Sequence, residues 1–340
     1  MCGILTRSTL FSLRIESTME KFSKWRDAST GIQPFVPPVP SRTDSNLEAK
    51  FALVLGFVLK PVLGILKVLL VCADALLLFL LVDVIGSILI YFKPLHRGFC
   101  FVFTSILTRL ALFFMGFFWI HTETVSLRRG RGSISKTRER SINKARSADI
   151  IICNWTSYID LLYLAFRFNP VFTQIYSTTN TLRPISLWTA IRLTGSYPEL
   201  EPSGDVKTFS LRELVKEAKD NQWGPIVVFP EGTTSNGRAL LKFIPIFKDL
   251  SISTLNFSIY ILTLRYEYEN LPPTFTVGSK LWHFMKLCSQ YINVLHVRIL
   301  EESISSNFTA SSIQNSSPAP SSASKQADTV DFQILNLVGQ

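Results

Sequence analysis

The chain has 340 residues, of which 47% are apolar, and 35 Lys and Arg against 25 Asp and Glu give a formal net charge of +10. That length holds one large α/β domain with a membrane segment beside it. Five cysteines, at positions 2, 72, 100, 153 and 288, are odd in number and widely spread. They read as reduced, mostly buried thiols and argue against a disulfide framework or a zinc site.

Residues 1–18 carry too short an apolar stretch for a secretory signal, and a second Met stands at position 19. Residues 36–50 form a Pro/Ser-rich linker. Residues 51–92 are almost uninterrupted Leu, Val, Ile and Phe. As one helix they would measure about 63 Å at ~1.5 Å per residue, twice the ~30 Å of a hydrocarbon core. Lys60-Pro61, Gly64 and Lys67 are places to break them, so a hairpin is expected. The basic loop Lys93–Gly98 then belongs on the cytoplasmic side. The next apolar stretch, Phe99–Ile120 with Arg109 near its middle, reads as an interfacial helix. Crossings by 68–92 and 99–120 are the alternative.

Between Leu127 and Arg146 lie eight cations (Arg128, Arg129, Arg131, Lys136, Arg138, Arg140, Lys144, Arg146) and one acid, Glu139. The run follows an apolar segment and lacks interleaved aromatics, so residues 128–146 read as a strip against anionic lipid and not as a nucleic-acid site. From Ala148 the pattern becomes α/β. Strands are expected at 149–153, 171–176, 225–229 and 259–266, with helices at 158–168, 187–193 and 211–221. Alternation of this kind predicts a sheet covered by helices. Residues 303–328 are Ser-, Ala-, Asn- and Thr-rich without a period, which reads as a disordered tail. The expected division is 1–50 tail and linker, 51–121 membrane hairpin plus interfacial helix, 122–302 α/β domain, and 303–340 tail.

Two strand exits carry chemistry. After Pro225-Ile-Val-Val228 comes Phe229-Pro-Glu-Gly-Thr-Thr-Ser-Asn-Gly237. This is a turn with a carboxylate, two glycines and several hydroxyl or amide side chains, suited to hold a polar group at the edge of a sheet. After the strand at 149–153 comes Asn154-Trp-Thr-Ser-Tyr-Ile-Asp160. There Ser157 reads as a helix N-cap, with Asp160 in the first turn.

Together these segments resemble the glycerolipid acyltransferases. Residues 229–237 match the family's third motif, and Asn154 and Asp160 match its NHxxxxD motif. Met19–Asp27 and Thr30–Pro37 are similar to the start of the fungal lipid-droplet branch of that family. The resemblance implies a helix-covered mixed α/β sheet preceded by an N-terminal helical membrane segment. It implies transfer of a fatty acyl group from acyl-CoA, with no other cofactor and no metal, to a lysophospholipid, with lysophosphatidic acid giving phosphatidic acid. The place would be the endoplasmic reticulum membrane or lipid droplet, with the domain in the cytosol.

By the same resemblance Glu231, Gly232, Thr233 and Thr234 would hold the lysolipid head group. Gly195 would mark the second motif, and Arg265-Tyr266 the fourth. Lys242 and Phe243 also fit. The Arg expected a few residues after Gly195 is absent from Pro198–Pro202, the usual Pro before Arg265 is missing, and a third departure falls in the NHxxxxD motif. The family's His is the general base that takes the acceptor hydroxyl's proton, and here it is Trp155, whose indole donates one hydrogen bond and accepts no proton. Asn154, Trp155 and Asp160 would still shape the reacting centre. A lipid-binding scaffold without catalysis is the alternative that Trp155 raises.

Overall fold

In a computed structural model, residues 31–38, 47–125, 134–135, 147–204, 206–247, 257–268 and 271–300 are described. The segment Met19–Thr30, most of the basic strip and the C-terminal tail lie outside them.

The first helix, α1 (Leu47–Leu78), does not break at Lys60-Pro61 or Gly64; Pro61 lies inside it. It runs on through a π-helical stretch at Phe79–Ile85 and a short turn to Tyr91. Neighbouring turns can absorb a proline in an apolar helix when other contacts hold the backbone. The contacts beside Pro61 are visible: Gly64 lies against Ser289, and Lys67 donates to the Gln290 carbonyl at 2.7 Å.

The chain reverses at Phe92 instead. Helix α2 (Lys93–Phe114) starts inside the segment expected to be a loop, with Pro94 in its first turn. Gly86 faces Cys100 and His96 near the reversal, and Val71 to Leu78 share a cavity with Thr108 to Met115 farther along. The two helices are therefore antiparallel. Leu59–Tyr91 and Pro94–Phe114 are each long and apolar enough to cross a membrane. Much of their surface is bare: Val62, Ile65, Leu66, Leu69, Ile88, Phe101 and Ile106 are all exposed. An apolar face of that extent calls for lipid or a partner. Arg109 closes the end of α2 by donating to the carbonyls of Phe117 and Phe118 at 2.9 and 2.8 Å.

Among the described residues the domain is built on a mixed sheet of eight strands. Its strands are β1 (Ile120–Val125), β2 (Ile134–Ser135), β3 (Ile150–Cys153), β4 (Val171–Tyr176), β5 (Thr181–Ile185), β6 (Ile226–Val228), β7 (Ile259–Glu267) and β8 (Val294–Leu300). They lie in the order β2-β1-β8-β7-β3-β6-β4-β5. The centre is parallel, with β3 between β6 and β7, whereas β8 and β5 run antiparallel to their neighbours β7 and β4. Between the strands stand α3 (Tyr158–Phe168), α4 (Leu187–Leu193), α5 (Leu211–Asp220) and α6 (Lys280–Cys288).

Burial explains why the central strands read as continuous apolar runs. Ile151, Cys153, Val227 and Phe229 face a core shared with α3 and the helix pair. Their neighbours Ile150, Ile152, Ile226 and Val228 face a second core under α5. A strand covered on both faces has no polar side to show. The strands and helices expected from 149 to 266 fall where they were placed; β1, β2 and β5 were not anticipated. Ile120 opens β1 and does not close the preceding helix.

Between α2 and β1 the chain turns at Gly116, whose φ is +92°. Fully buried Asn293, just before β8, holds this turn: its side chain donates to Met115 O at 2.8 Å and its backbone to Gly116 O at 2.9 Å. Asn293→Ala removes the side-chain bond and strands a buried carbonyl, at a cost of about 1–3 kcal/mol. The expected outcome is a lowered thermal midpoint for the detergent-solubilised protein, with the sheet's circular dichroism unchanged below the transition.

Candidate functional site

The two chemistry-bearing turns meet because β3 and β6 are neighbours. Ile152 pairs with Val228, so residues 154–160 and 229–237 leave the sheet side by side at its carboxyl edge, where α/β sheets bind ligands.

Asp160 is completely buried and closes the first turn of α3. Its Oδ2 accepts from the backbone N–H of Thr156 (2.7 Å) and Ser157 (2.8 Å) and from the Thr156 hydroxyl (3.0 Å). Its Oδ1 accepts from the Tyr266 hydroxyl on β7. Ser157 is the N-cap expected from the sequence and completes a capping box with Asp160. Its hydroxyl donates in turn to Pro273 O at 2.7 Å. Burial pushes the Asp160 carboxyl up to about 6, against the pull of Tyr266 and the donors of Thr156 and Ser157.

Asn154 acts on the backbone. Its side chain donates to Leu264 O at 2.9 Å and accepts from Leu264 N at 2.8 Å, which carries the β3–β7 pairing one residue past the strand. Trp155 is buried at 6% exposure. Its ring stacks on Phe229 with centroids 4.8 Å apart and 24° between planes. Its indole Nε1 lies out of solvent without a hydrogen-bond partner among the described residues.

Glu231 is also buried, at 7% exposure, and is met on one side only. The Ser235 hydroxyl and the Leu241 backbone bond its carboxylate, while burial, the larger effect, pushes it up to about 7. Its Oε2 has no partner among the described residues. Ser235 also donates its backbone N–H to Trp155 O at 3.0 Å, so one residue fastens Glu231 to the Trp155 turn.

Gly232 is at φ +66°, a left-handed conformation that favours glycine at this sharp corner. Thr233 and Gly232 are half-buried, while Thr234 is buried. Thr234 accepts at its hydroxyl from Gly195 N at 3.0 Å, which joins the turn to the segment after α4. Gly195 is fixed there by its φ of +68° and by the Phe275 ring, which a Cβ would meet at 2.4 Å. Arg265 lies elsewhere. Alternation along β7 places Tyr266 in the core with Trp155, while Arg265 is exposed toward the opposite face. Tyr266 is thus the member of that pair that reaches Asp160.

Three features of the site were not placed there by the sequence, the first of them within the residues read as tail and linker. The segment 33–36 lies over the 231–237 turn: Asn236 donates to the carbonyls of Gln33 (2.7 Å), Pro34 (2.8 Å) and Val36 (2.9 Å), and Thr276 donates to Phe35 O. The repeated prolines there could have signalled an ordered strap. Second, His283 sits beside the site on α6. Its Nε2 can only donate to Pro272 O at 3.0 Å, so the neutral ring accepts the Tyr158 hydroxyl at Nδ1, 3.1 Å away. Burial lowers its affinity for a proton.

Third, an apolar cavity of about 410 Å³ lies between the helix pair and the domain, with Tyr158 in its wall. Ala75, Thr108, Ala111 and Leu162 line it, with Arg192 and Lys280 among its polar residues. Lys280 donates to the Arg192 carbonyl, which places the two cations together. No spacing rule links positions 192 and 280, so only the fold brings them together.

Residues 134–267 match the family model described as Acyltransferase. A Schizosaccharomyces pombe protein named as a lysophosphatidic acid:oleoyl-CoA acyltransferase is 30% identical over 265 residues, covering 76% of each chain. The lysophospholipid acyltransferases LPEAT1 and LPEAT2 of Arabidopsis thaliana are 30% and 26% identical. They match 56% and 61% of this chain, which spans 49% and 34% of their lengths. The crystal structure of PlsC, the 1-acyl-sn-glycerophosphate acyltransferase of Thermotoga maritima, aligns with a TM-score of 0.41 at 15% identity, over 81% of this chain and 97% of that one. On the identity and extent of the Schizosaccharomyces pombe match, together with the family model, this chain belongs to the acyltransferase family.

Proposed function

We propose that the protein transfers a fatty acyl group from acyl-CoA to a lysophospholipid, with lysophosphatidic acid as acceptor and phosphatidic acid as product, at the endoplasmic reticulum membrane or lipid droplet. The observation that carries this reading is the pairing of two strand exits, one holding Asp160 and one Glu231, beside a helix, α3, whose Tyr158 and Leu162 also line an apolar cavity. An acyl transferase needs polar groups for the acceptor and a dry channel for the chain. The relatives' names support the same acceptor class.

In this reading Glu231, Gly232, Thr233 and Thr234 bind the glycerol and head group of the acceptor. Asp160 is a positioning residue that fixes the Asn154–Ser157 turn through its four hydrogen bonds. The cavity beside Tyr158 takes the acyl chain, and Arg192 and Lys280 lie where acidic groups of either substrate would be neutralised. The bare helix pair keeps the domain on the membrane, with its active face in the cytosol, and the basic residues between 128 and 146 add attraction to anionic lipid. The competing reading, a lipid-binding scaffold, rests on Trp155 alone.

Full-length protein in nanodiscs, supplied with oleoyl-CoA and a panel of lysolipids, tests the assignment. Phosphatidic acid is expected to form fastest from lysophosphatidic acid. Asp160→Ala is expected to lower the rate at least ~30-fold by releasing the turn. Absence of transfer to every lysolipid would favour the scaffold.

The cavity gives a separate expectation. Ala75→Phe adds a ring to its wall on α1 and shortens the space available. The preferred donor should shift toward acyl chains several carbons shorter, read from competition between acyl-CoAs of graded length. An unchanged chain profile would place the acyl group elsewhere.

A further inference from the structure

The family's base is missing at position 155, and the other titratable groups near the site are already engaged. His283 uses both ring nitrogens, one on Pro272 and one on Tyr158. His121 and His296 stack on each other on β1 and β8, at the sheet's other side from β6. His96 lies beside Cys100 in the first turns of α2. The buried Cys153 thiol is pushed well up by desolvation and by Asp160 and Glu231, so it stays protonated. Asp160 has both oxygens occupied by donors. At the two strand exits what remains is a carboxylate oxygen without a partner among the described residues, Glu231 Oε2, in a residue more than nine-tenths buried. The other such oxygen, Asp74 Oδ1, lies on α1 in the wall of the apolar cavity and not at either exit. The unpartnered indole N–H of Trp155 belongs to the adjoining turn, fastened to it through Ser235. An orphan acceptor and an orphan donor, each costly to bury unmet, are complementary to a hydroxyl and a carbonyl.

Resting on the acyltransferase reading above, we propose that Glu231 is the general base of this enzyme in place of the missing His, and that Trp155 Nε1–H donates to the acyl carbonyl oxygen. The acceptor hydroxyl approaches past the half-buried Gly232 and Thr233 and gives its proton to Glu231 Oε2 as its oxygen attacks the thioester carbon. The new C–O bond forms, and negative charge gathers on the carbonyl oxygen facing Trp155. The C–S bond then breaks, the electron pair leaves with sulfur, and the proton held by Glu231 passes to the thiolate. Ester and thiol result, and Glu231 is again ionised. A base does this best when its pKa lies near the working pH, and burial has moved this carboxyl to about 7. Cys153, which feels both the Asp160 and the Glu231 carboxyl, lies across the strand exits from it, and Arg238 and Lys242, both exposed, follow it in sequence.

The test uses full-length protein in nanodiscs with oleoyl-CoA and lysophosphatidic acid, with thermal melts to confirm folding. Wild-type kcat should fall on the acid side with an apparent pKa near 7. E231Q keeps the shape and should lose at least ~100-fold in kcat, with KM for the lysolipid within about threefold and the acid limb gone. W155H placed on E231Q returns a base beside Asp160 and should recover at least about tenfold. W155F keeps the stack but not the N–H, and should lose about 10- to 100-fold with the acid limb intact. Where E231Q does not fold, E231D carries the test, with kcat lowered but the limb retained. A higher KM at near wild-type kcat in E231Q, or unchanged kcat in E231D, overturns the base assignment and leaves the acyltransferase reading standing. Unchanged kcat in W155F overturns the role of Trp155. No transfer by the wild type to any lysolipid overturns both readings.

Discussion

Everything at this site hangs on a carboxylate that water does not reach. Putting the Asp160 charge in the interior costs several kcal/mol unless donors replace its hydration. The chain supplies four, from Thr156, Ser157 and Tyr266. Those donors come from the β3 exit, the α3 N-terminus and β7, so satisfying one charge fixes three elements against each other. The Trp155 backbone is part of that turn and cannot move without breaking it. In a site where a His occupied position 155, the same acid would orient the ring; here only its structural task is left. This explains how the His can be absent while the turn that would carry it stays intact.

The two buried acids differ in what their surroundings leave undone. Asp160 has donors on both oxygens, three on Oδ2 and one on Oδ1, and these favour its charged form. Glu231 has donors on one side from Ser235 and Leu241 and an open Oε2 on the other. Burial raises both carboxyls, Glu231 to about 7 and Asp160 to about 6. What separates them is the hydrogen bonding around each, which leaves one oxygen of Glu231 open. The acid bonded on both oxygens holds geometry, and the open one is free to exchange a proton.

Much of this was legible in the sequence. The β-branched runs at 149–153 and 225–229 place both strand exits. The Ser157-x-x-Asp160 spacing announces the capping box, because a helix start needs those donors and acceptors at that interval. The path of the N-terminal apolar segment was not legible. Pro61 and Gly64 break an isolated helix, and only packing against residues 289 and 290 shows why they do not break this one. The partners of Asn236 were hidden for a similar reason: Gln33, Pro34 and Val36 lie some 200 positions away, and backbone carbonyls leave no mark in sequence. Arg265 shows the limit of a motif read without register. Strand alternation turns it away and turns its neighbour Tyr266 inward, and that parity depends on which face β7 buries.

The cavity beside Tyr158 bears on how such a protein would discriminate among fatty chains. Its wall is shared between the domain and a helix pair whose outer face is bare of polar cover. A chain entering from a bilayer leaves one apolar medium for another, so the ~0.8 kcal/mol per methylene gained on leaving water is not available again at this step. Longer chains therefore gain little from burial alone. Selectivity has to come from where the space ends and from the cost of overfilling it, which for a packed interior is about 1–3 kcal/mol per misfit. Ala75 on α1 and Ala111 on α2 line that space. On the proposed function, the helices that would hold the domain at a membrane would also be the measuring wall of the pocket, and a shift of one against the other would alter attachment and chain choice together.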